Sequence, residues 1–281
     1  KGKTPVWFRG DSTLIAQQHG IKQVLRKWVL KWVYQHIDKA FYVGTANQTY
    51  FEAFGLKEAQ LVFAPHAVDN ARFAKDRSKE ASELRQQFGI PTDEILILFA
   101  GKLERKKNPE LLLKAFIELD LNGVHLLFVG NGELEEDLKI KTNPLPPPTP
   151  SKGGPNLSLE KKVHFLDFQN QSQMPLVYQA CDLFCLPSQG SGETWGLAVN
   201  EAMACGKAIL LSDEVGCAVD LVKNGENGYI FESNQLIDLK SKLNLLLDKV
   251  NLTAMGKKSK RIIEDWSITK QAEIILKELH R

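Results

Sequence analysis

Short apolar runs alternate with amphipathic stretches along most of the chain. Ile95–Ala100 is a bounded apolar run, the pattern of a strand buried on both faces. Gly101 ends it. Pro109 then opens a predicted helix reaching Leu119, with Asn108 as its N-cap. The next strand is Val124–Val129, followed by Gly130-Asn131-Gly132 and a helix from Glu133. Further strands are predicted at Val163–Leu166, Leu183–Leu186, 208–211 and 229–231, with helices in the intervals. This alternation implies an α/β fold with a parallel sheet and right-handed crossovers. Ligands of such sheets bind beyond the carboxyl ends of the strands.

The first 85 or so residues carry only three strand signals, at 6–8, 41–43 and 61–64. That is too few for a complete doubly wound domain. The expected division is a partial amino-terminal domain over 1–88, a complete one over 89–265, and a helix over 266–281 that could cross back to the first. Between the first two strands, Ile21, Val24, Leu25, Trp28, Val29, Trp32 and Val33 form an i, i+3, i+4 stripe. Lys22, Arg26, Lys27 and Lys31 lie mostly off it. The expectation is a helix packed on a sheet with a solvated basic face; the alternative is contact with a membrane surface. Residues 143–158 are rich in Pro, Gly and Ser without periodicity and read as an exposed insertion.

Composition changes this picture little. Of 281 residues, 43% are hydrophobic and 25% charged, as in ordinary globular chains. A net charge of +2 gives no reason to expect a nucleic-acid partner. No apolar run approaches the roughly 20 residues that span a bilayer. The chain opens without Met or a signal peptide, so an upstream segment is expected to have been removed. Cys181, Cys185, Cys205 and Cys217 form no Cys-x-x-Cys and are expected to be buried thiols in a reducing compartment.

The candidate chemistry lies in residues 186–206. A strand ends at Leu186, a loop with Gly190 and Gly192 follows, a helix begins near Gly196, and Gly206 ends it. Such a loop presents free N–H groups and the positive end of the helix dipole, a setting for phosphate. Glu193 precedes the helix and Glu201 lies within it; carboxylates there can accept hydrogen bonds from sugar hydroxyls. Lys102, Arg105, Lys106 and Lys107 follow the strand ending at Ala100, at the same sheet edge as the loop. Cations and a helix N-terminus facing one cleft would neutralise a diphosphate leaving group.

Glu193 and Glu201 are spaced Glu-x7-Glu, between Pro187-Ser188 and Glu201-Ala202-Met203-Ala204-Cys205-Gly206. In this the chain resembles the family 4 (group 1) glycosyltransferases, retaining enzymes of the GT-B fold with two Rossmann-like domains. The resemblance extends to Ala100-Gly101-Lys102-Leu103 with Lys107, to Val129-Gly130-Asn131-Gly132, to Val163 through Phe168, to Asn224 through Tyr229, and to Pro65-His66-Ala67-Val68-Asp69. It covers most of residues 40–235 in the family's order.

The resemblance implies roles. Lys107 would contact the donor diphosphate, with Lys102 standing where the family usually has Arg. Gly101 and Gly130 would line the donor cleft. Glu193 would bind the donor sugar, with Gly192 and the backbone of Thr194, Trp195, Gly196 and Leu197 near sugar and phosphate. Glu201 would hold the ribose and Phe168 would face the base. Asp182 would be structural. The family's usual acceptor-side His has no counterpart in Val6 through Ser12, where Arg9 and Asp11 would face the cleft; His19 and His66 are poor substitutes.

The expected reaction moves a sugar from a nucleoside diphosphate sugar to an acceptor hydroxyl, with retention. The setting implied is cell-surface polysaccharide or glycolipid synthesis, cytoplasmic or peripheral at the membrane. No Asp-x-Asp occurs, so no metal or other cofactor is expected. The alternatives are a nucleotide-sugar-binding module without turnover and a GT-B sugar-nucleotide epimerase.

Overall fold

The computed structural model describes residues 4–15, 20–142, 159 and 161–280. The insertion read at 143–158 and His19 lie outside them. The first layer comprises β1 (Trp7–Arg9), α1 (Ile21–Tyr34), β2 (Lys39–Tyr42), α2 (Thr45–Ala53) and β3 (Leu61–Phe63). Its sheet is parallel, in the order β1-β2-β3. α3 (Asn70–Ala74) and α4 (Ser78–Gln87) lead into the second layer.

There the chain runs β4 (Ile95–Ala100), α5 (Pro109–Leu119), β5 (Val124–Val129), α6 (Glu135–Thr142), β6 (Val163–Leu166), α7 (Met174–Ala180) and β7 (Leu183–Leu186). It continues through α8 (Leu197–Ala204), β8 (Ala208–Ser212), α9 (Ala218–Leu221), β9 (Gly228–Phe231), α10 (Leu236–Leu246), α11 (Lys249–Ile263) and α12 (Ile268–Leu279). All six strands of this sheet are parallel, in the order β6-β5-β4-β7-β8-β9. Counted within the sheet, that order is 3-2-1-4-5-6, and it reverses between β4 and β7. A crevice forms at such a reversal because the helices that follow the two strands lie on opposite faces of the sheet.

Helices cover both faces, so β4, β5 and β7 are buried at every position. That burial is why these strands read as continuous apolar runs rather than alternating ones. Burying each such side chain contributes about 1.5–3 kcal/mol. The four cysteines are buried and free; burial pushes the Cys181 and Cys205 thiols up to about 12.

Two expectations need correction. Asn108 does not cap α5 with its side chain. The turn at Arg105–Lys107 leaves Asn108 in the left-handed region (φ 52°), which Asn tolerates, and its amide donates to Asn234 Oδ1 at 2.9 Å. The stripe on α1 does not pack on the sheet: Val24, Leu25, Trp28, Val29 and Trp32 are exposed. The opposite side faces inward, because Tyr34 and Leu30 join Phe51, Tyr50 and Phe8 in a separate core, and Arg26 donates to the Tyr50 hydroxyl at 3.0 Å.

α12 lies against the three-stranded layer. Gln271 donates to the Pro65 carbonyl at 2.6 Å, and Lys39 pairs with Glu278 at 3.3 Å. Trp266, just before α12, touches both Phe63 and Trp195.

Candidate active site

The loops leaving β4 and β7 meet at the switch point. Gln189 binds the carbonyls of Lys106 and Arg105, joining the Gly loop to the basic loop. Gly192 sits beneath the Lys106 side chain, leaving no room for a Cβ without moving it. The loops after β4 and β5 are equally close. Gly130, at φ +130°, lies so near Gly101 that a Cβ would collide with the Gly101 carbonyl.

Lys107 and Glu193 form an ion pair across this junction, and Ser188 Oγ donates to the same carboxylate oxygen at 3.1 Å. Both side chains are largely buried. The residues read as separate contacts to diphosphate and sugar therefore hold each other. Lys102 differs: it is exposed, has no ion pair among the described residues, and lines the adjoining cavity.

That cavity, of about 300 Å³, is lined by Gly101, Lys102, Gly130, Asn131, Phe168 and Glu201 among others. Phe168 stands at its lip, 66% exposed. Glu201 forms the inner wall, buried on the second turn of α8. Tyr178 donates to its Oε2 at 2.8 Å and Gln171 to its Oε1 at 3.2 Å. Arg72, from α3, in turn donates to Gln171 Oε1 at 2.7 Å. Burial raises the Glu201 carboxyl above its ordinary value, and the Tyr178 and Gln171 bonds oppose that rise. Neither Tyr178 nor Gln171 stands out in the sequence. Tyr178 reads as one more apolar position of α7, and Gln171 carries no local signal.

Gly196, at φ +95°, starts α8 without a side-chain cap, so the first amides at Leu197 are not covered by a capping oxygen. Thr194 and Trp195 turn toward the first layer instead. Thr194 Oγ1 donates to Asp11 Oδ2 at 2.9 Å. Trp195 is buried, with its indole N–H on Asn200 and its ring against His66 and Trp266. Its side chain serves packing between layers. Asn200 also holds the His66 carbonyl at 2.9 Å. Burial, and then Arg9, lower the His66 imidazole. Arg9, Asp11 and His66 are thus grouped beside Thr194. Nearby, Asp220 accepts from Thr45 N at 2.9 Å and Oγ1 at 2.5 Å, a second bridge between the layers. Asp182 lies at the other edge of the sheet, bound to Leu96 N, Arg85 and Lys249.

Comparison with known proteins matches this arrangement to one family. The model of the group 1 glycosyl transferases matches residues 80–145 and 154–264. The D-inositol 3-phosphate glycosyltransferase of Mycolicibacterium smegmatis is 30% identical over 207 residues, 68% of this chain and 44% of that protein. The protein of that name from Rhodococcus erythropolis is 25% identical over 82% of this chain and 50% of its own. The chain thus spans about half the length of these relatives. Among solved structures, Anabaena HepE in complex with UDP superposes with a TM-score of 0.78 at 20% identity, over 98% of this chain and 72% of that one. The sucrose-phosphate synthase of Thermosynechococcus elongatus superposes at 0.74 and 20% identity, over 98% and 67%. These likenesses give the fold, GT-B with Rossmann-like parallel sheets. The chain belongs to the group 1 glycosyl transferases.

Proposed function

We propose that the chain is the donor-binding part of a retaining glycosyltransferase that takes a nucleoside diphosphate sugar and passes the sugar to an acceptor hydroxyl. The observation that carries this is the convergence of Lys102, Phe168 and Glu201 on one cavity, beside the Lys107–Glu193 pair, where the strand order reverses. Phe168 offers a face for a base, and Glu201 two oxygens for ribose hydroxyls. Lys102, Lys107 and the α8 N-terminus supply positive charge for a departing diphosphate. Glu193 positions the donor sugar as a hydrogen-bond acceptor. Asp11, grouped with Arg9 and His66, meets the loop before α8 through Thr194 and would form the acceptor side. The similar HepE chain is described with UDP and with UDP-glucose, which makes a uridine donor the first to test.

No divalent metal is needed in this reading, since side-chain cations take its electrostatic part. The division of the chain at about residue 88 into an acceptor side and a donor side belongs to the same proposal. So does a cell-surface polysaccharide or glycolipid product. The exposed stripe of α1, with Trp28 at 73% and Trp32 at 64% exposure beside Lys27 and Lys31, supports peripheral contact with an anionic membrane. Flotation with anionic liposomes, lost in a Trp28→Ser/Trp32→Ser double variant, would support that contact. No flotation would remove it.

A second reading, a nucleotide-sugar-binding module without turnover, is favoured by the acceptor-side segment Val6 through Ser12, which carries Arg9 and Asp11 but no His. Calorimetry with UDP and GDP sugars beside a transfer assay on the same protein separates the two. Binding with transfer supports the enzyme, binding alone the module, and no binding contradicts both. Sugar interconversion without any acceptor would indicate an epimerase.

A further inference from the structure

The six-stranded sheet has a second cavity at its amino-terminal edge, opposite the donor cleft. Its volume is about 530 Å³, and it lies between α4, the linker residues Ala74 to Ser78, and the turns entering β7 and β8. Arg85, Lys207, Lys249 and Lys260 line it, facing the carboxylates of Asp76 and Asp182. A smaller hollow shares Lys207 and Lys260 and adds Lys257.

The carboxylates are already engaged. Asp182 Oδ2 accepts from Leu96 N at 2.8 Å and from Arg85 Nη1 at 3.1 Å, and its Oδ1 lies 3.6 Å from Lys249. Asp76 Oδ1 accepts from Ser78 N at 2.9 Å. Lys207 directs its ammonium to the carbonyls of Gln179 and Cys181, with no carboxylate partner among the described residues. Lys260 also lacks an ion pair there; its stem lies over Gly206. The Arg85 side chain is only 9% exposed; its Nη1 and Nη2 donate to the carbonyls of Ala180, Pro91 and Glu94 besides Asp182, and its Nε is buried without a hydrogen-bond partner. Four cations thus line the cavity against two carboxylates, and an anion there would balance the surplus charge.

We propose that this cavity binds a small phosphate-bearing anion. Guanidinium and ammonium groups converging on one space are the recognition chemistry of phosphate. The volume falls in the range of small-molecule sites, so the ligand carries a polar organic body beyond its phosphate. The site is built on the turn that closes α8, whose other end opens at the donor cleft. Its second wall is the linker from the first layer, which Gln179 holds through Lys75 O at 2.7 Å and Arg77 N at 2.8 Å.

The proposal is independent of the donor reading, and its test keeps them apart. Pyrophosphate binding is measured by calorimetry in Lys107→Ala protein, whose donor site is weakened, and again after adding Lys260→Glu. Lys260 is exposed, and a circular-dichroism melt checks that the fold survives; Lys249→Gln provides a second variant. The expected result is one pyrophosphate bound per chain, weakened at least tenfold by either change. No binding, or binding that both changes leave intact, overturns the proposal.

Discussion

Lys107 and Glu193 form an ion pair although 86 positions separate them in the chain. The pair ties the loop after β4 to the loop after β7, the two loops that meet at the switch point. It holds cation and carboxylate side by side before any donor arrives. Under the proposed function, a bound donor would meet a cation and a carboxylate already in place, with little reorganisation required.

Lys102 has no ion pair among the described residues. Lys102→Ala should weaken UDP binding about tenfold, the scale of one charge-assisted contact, and leave uridine binding unchanged. Lys102→Arg should restore it. Calorimetry with both ligands checks this; equal losses for UDP and uridine would place Lys102 away from the diphosphate.

Tyr178 supports Glu201 from within the core. Tyr178→Phe should destabilise the protein by about 1–3 kcal/mol, since a buried carboxylate oxygen loses its donor. The Tyr178 bond lowers the Glu201 carboxyl against the effect of burial. Without it that carboxyl rises further, so nucleotide binding should fall off at a higher pH than in the parent protein. Superimposable pH profiles would mean that Glu201 does not touch the ligand.

Gly44 packs against the Trp195 ring and the Asp220 carboxylate, and a Cβ there would overlap both. Its φ of 174° is ordinary extended backbone, so the constraint is space alone. Gly44→Ala should cost about 1–3 kcal/mol through overpacking between the layers. A thermal melt reads this directly, and an unchanged midpoint would show that the contact can relax.

His164 stands in β6 with its Nε2 3.0 Å from His125 Nδ1, and His125 Nε2 lies 2.5 Å from Glu94. Burial, then His125, depress the His164 imidazole from 6.5 to about 4. The unfolded chain therefore takes up a proton near pH 6.5 that the folded chain refuses until about pH 4. Stability from this group is present above pH 6.5 and is lost as the pH falls toward 4. The loss is on the order of 3 kcal/mol. Urea unfolding across that window should show the decline, and His164→Asn should flatten it.

Much of this arrangement is legible in the residues because it is local. The apolar runs of β4 and β5 announce strands buried on both faces, and Gly101 and Gly130 mark turns where backbones approach closely. Glu201 lies one helix beyond a Gly loop, so its sheet edge follows from the alternation of elements. What is not legible is pairing at a distance. Nothing near Lys107 indicates that Glu193 is its partner, nor near Thr194 that Asp11 is. Trp195 reads as a loop residue beside a phosphate, and only the second layer, through His66 and Trp266, makes it a core side chain. The stripe on α1 misleads for a related reason. Periodicity reports which face is apolar, whereas Tyr34 and Leu30 decide which face turns inward.

The proposed function requires a nucleoside diphosphate to bind in the cavity of Lys102, Phe168 and Glu201, beside the Lys107–Glu193 pair. Calorimetry with UDP on the parent protein, on Lys107→Ala and on Glu201→Gln tests it most directly. Binding in the parent that falls tenfold or more in each variant, with their folds retained, is the predicted result. UDP affinity unchanged in both variants would contradict it.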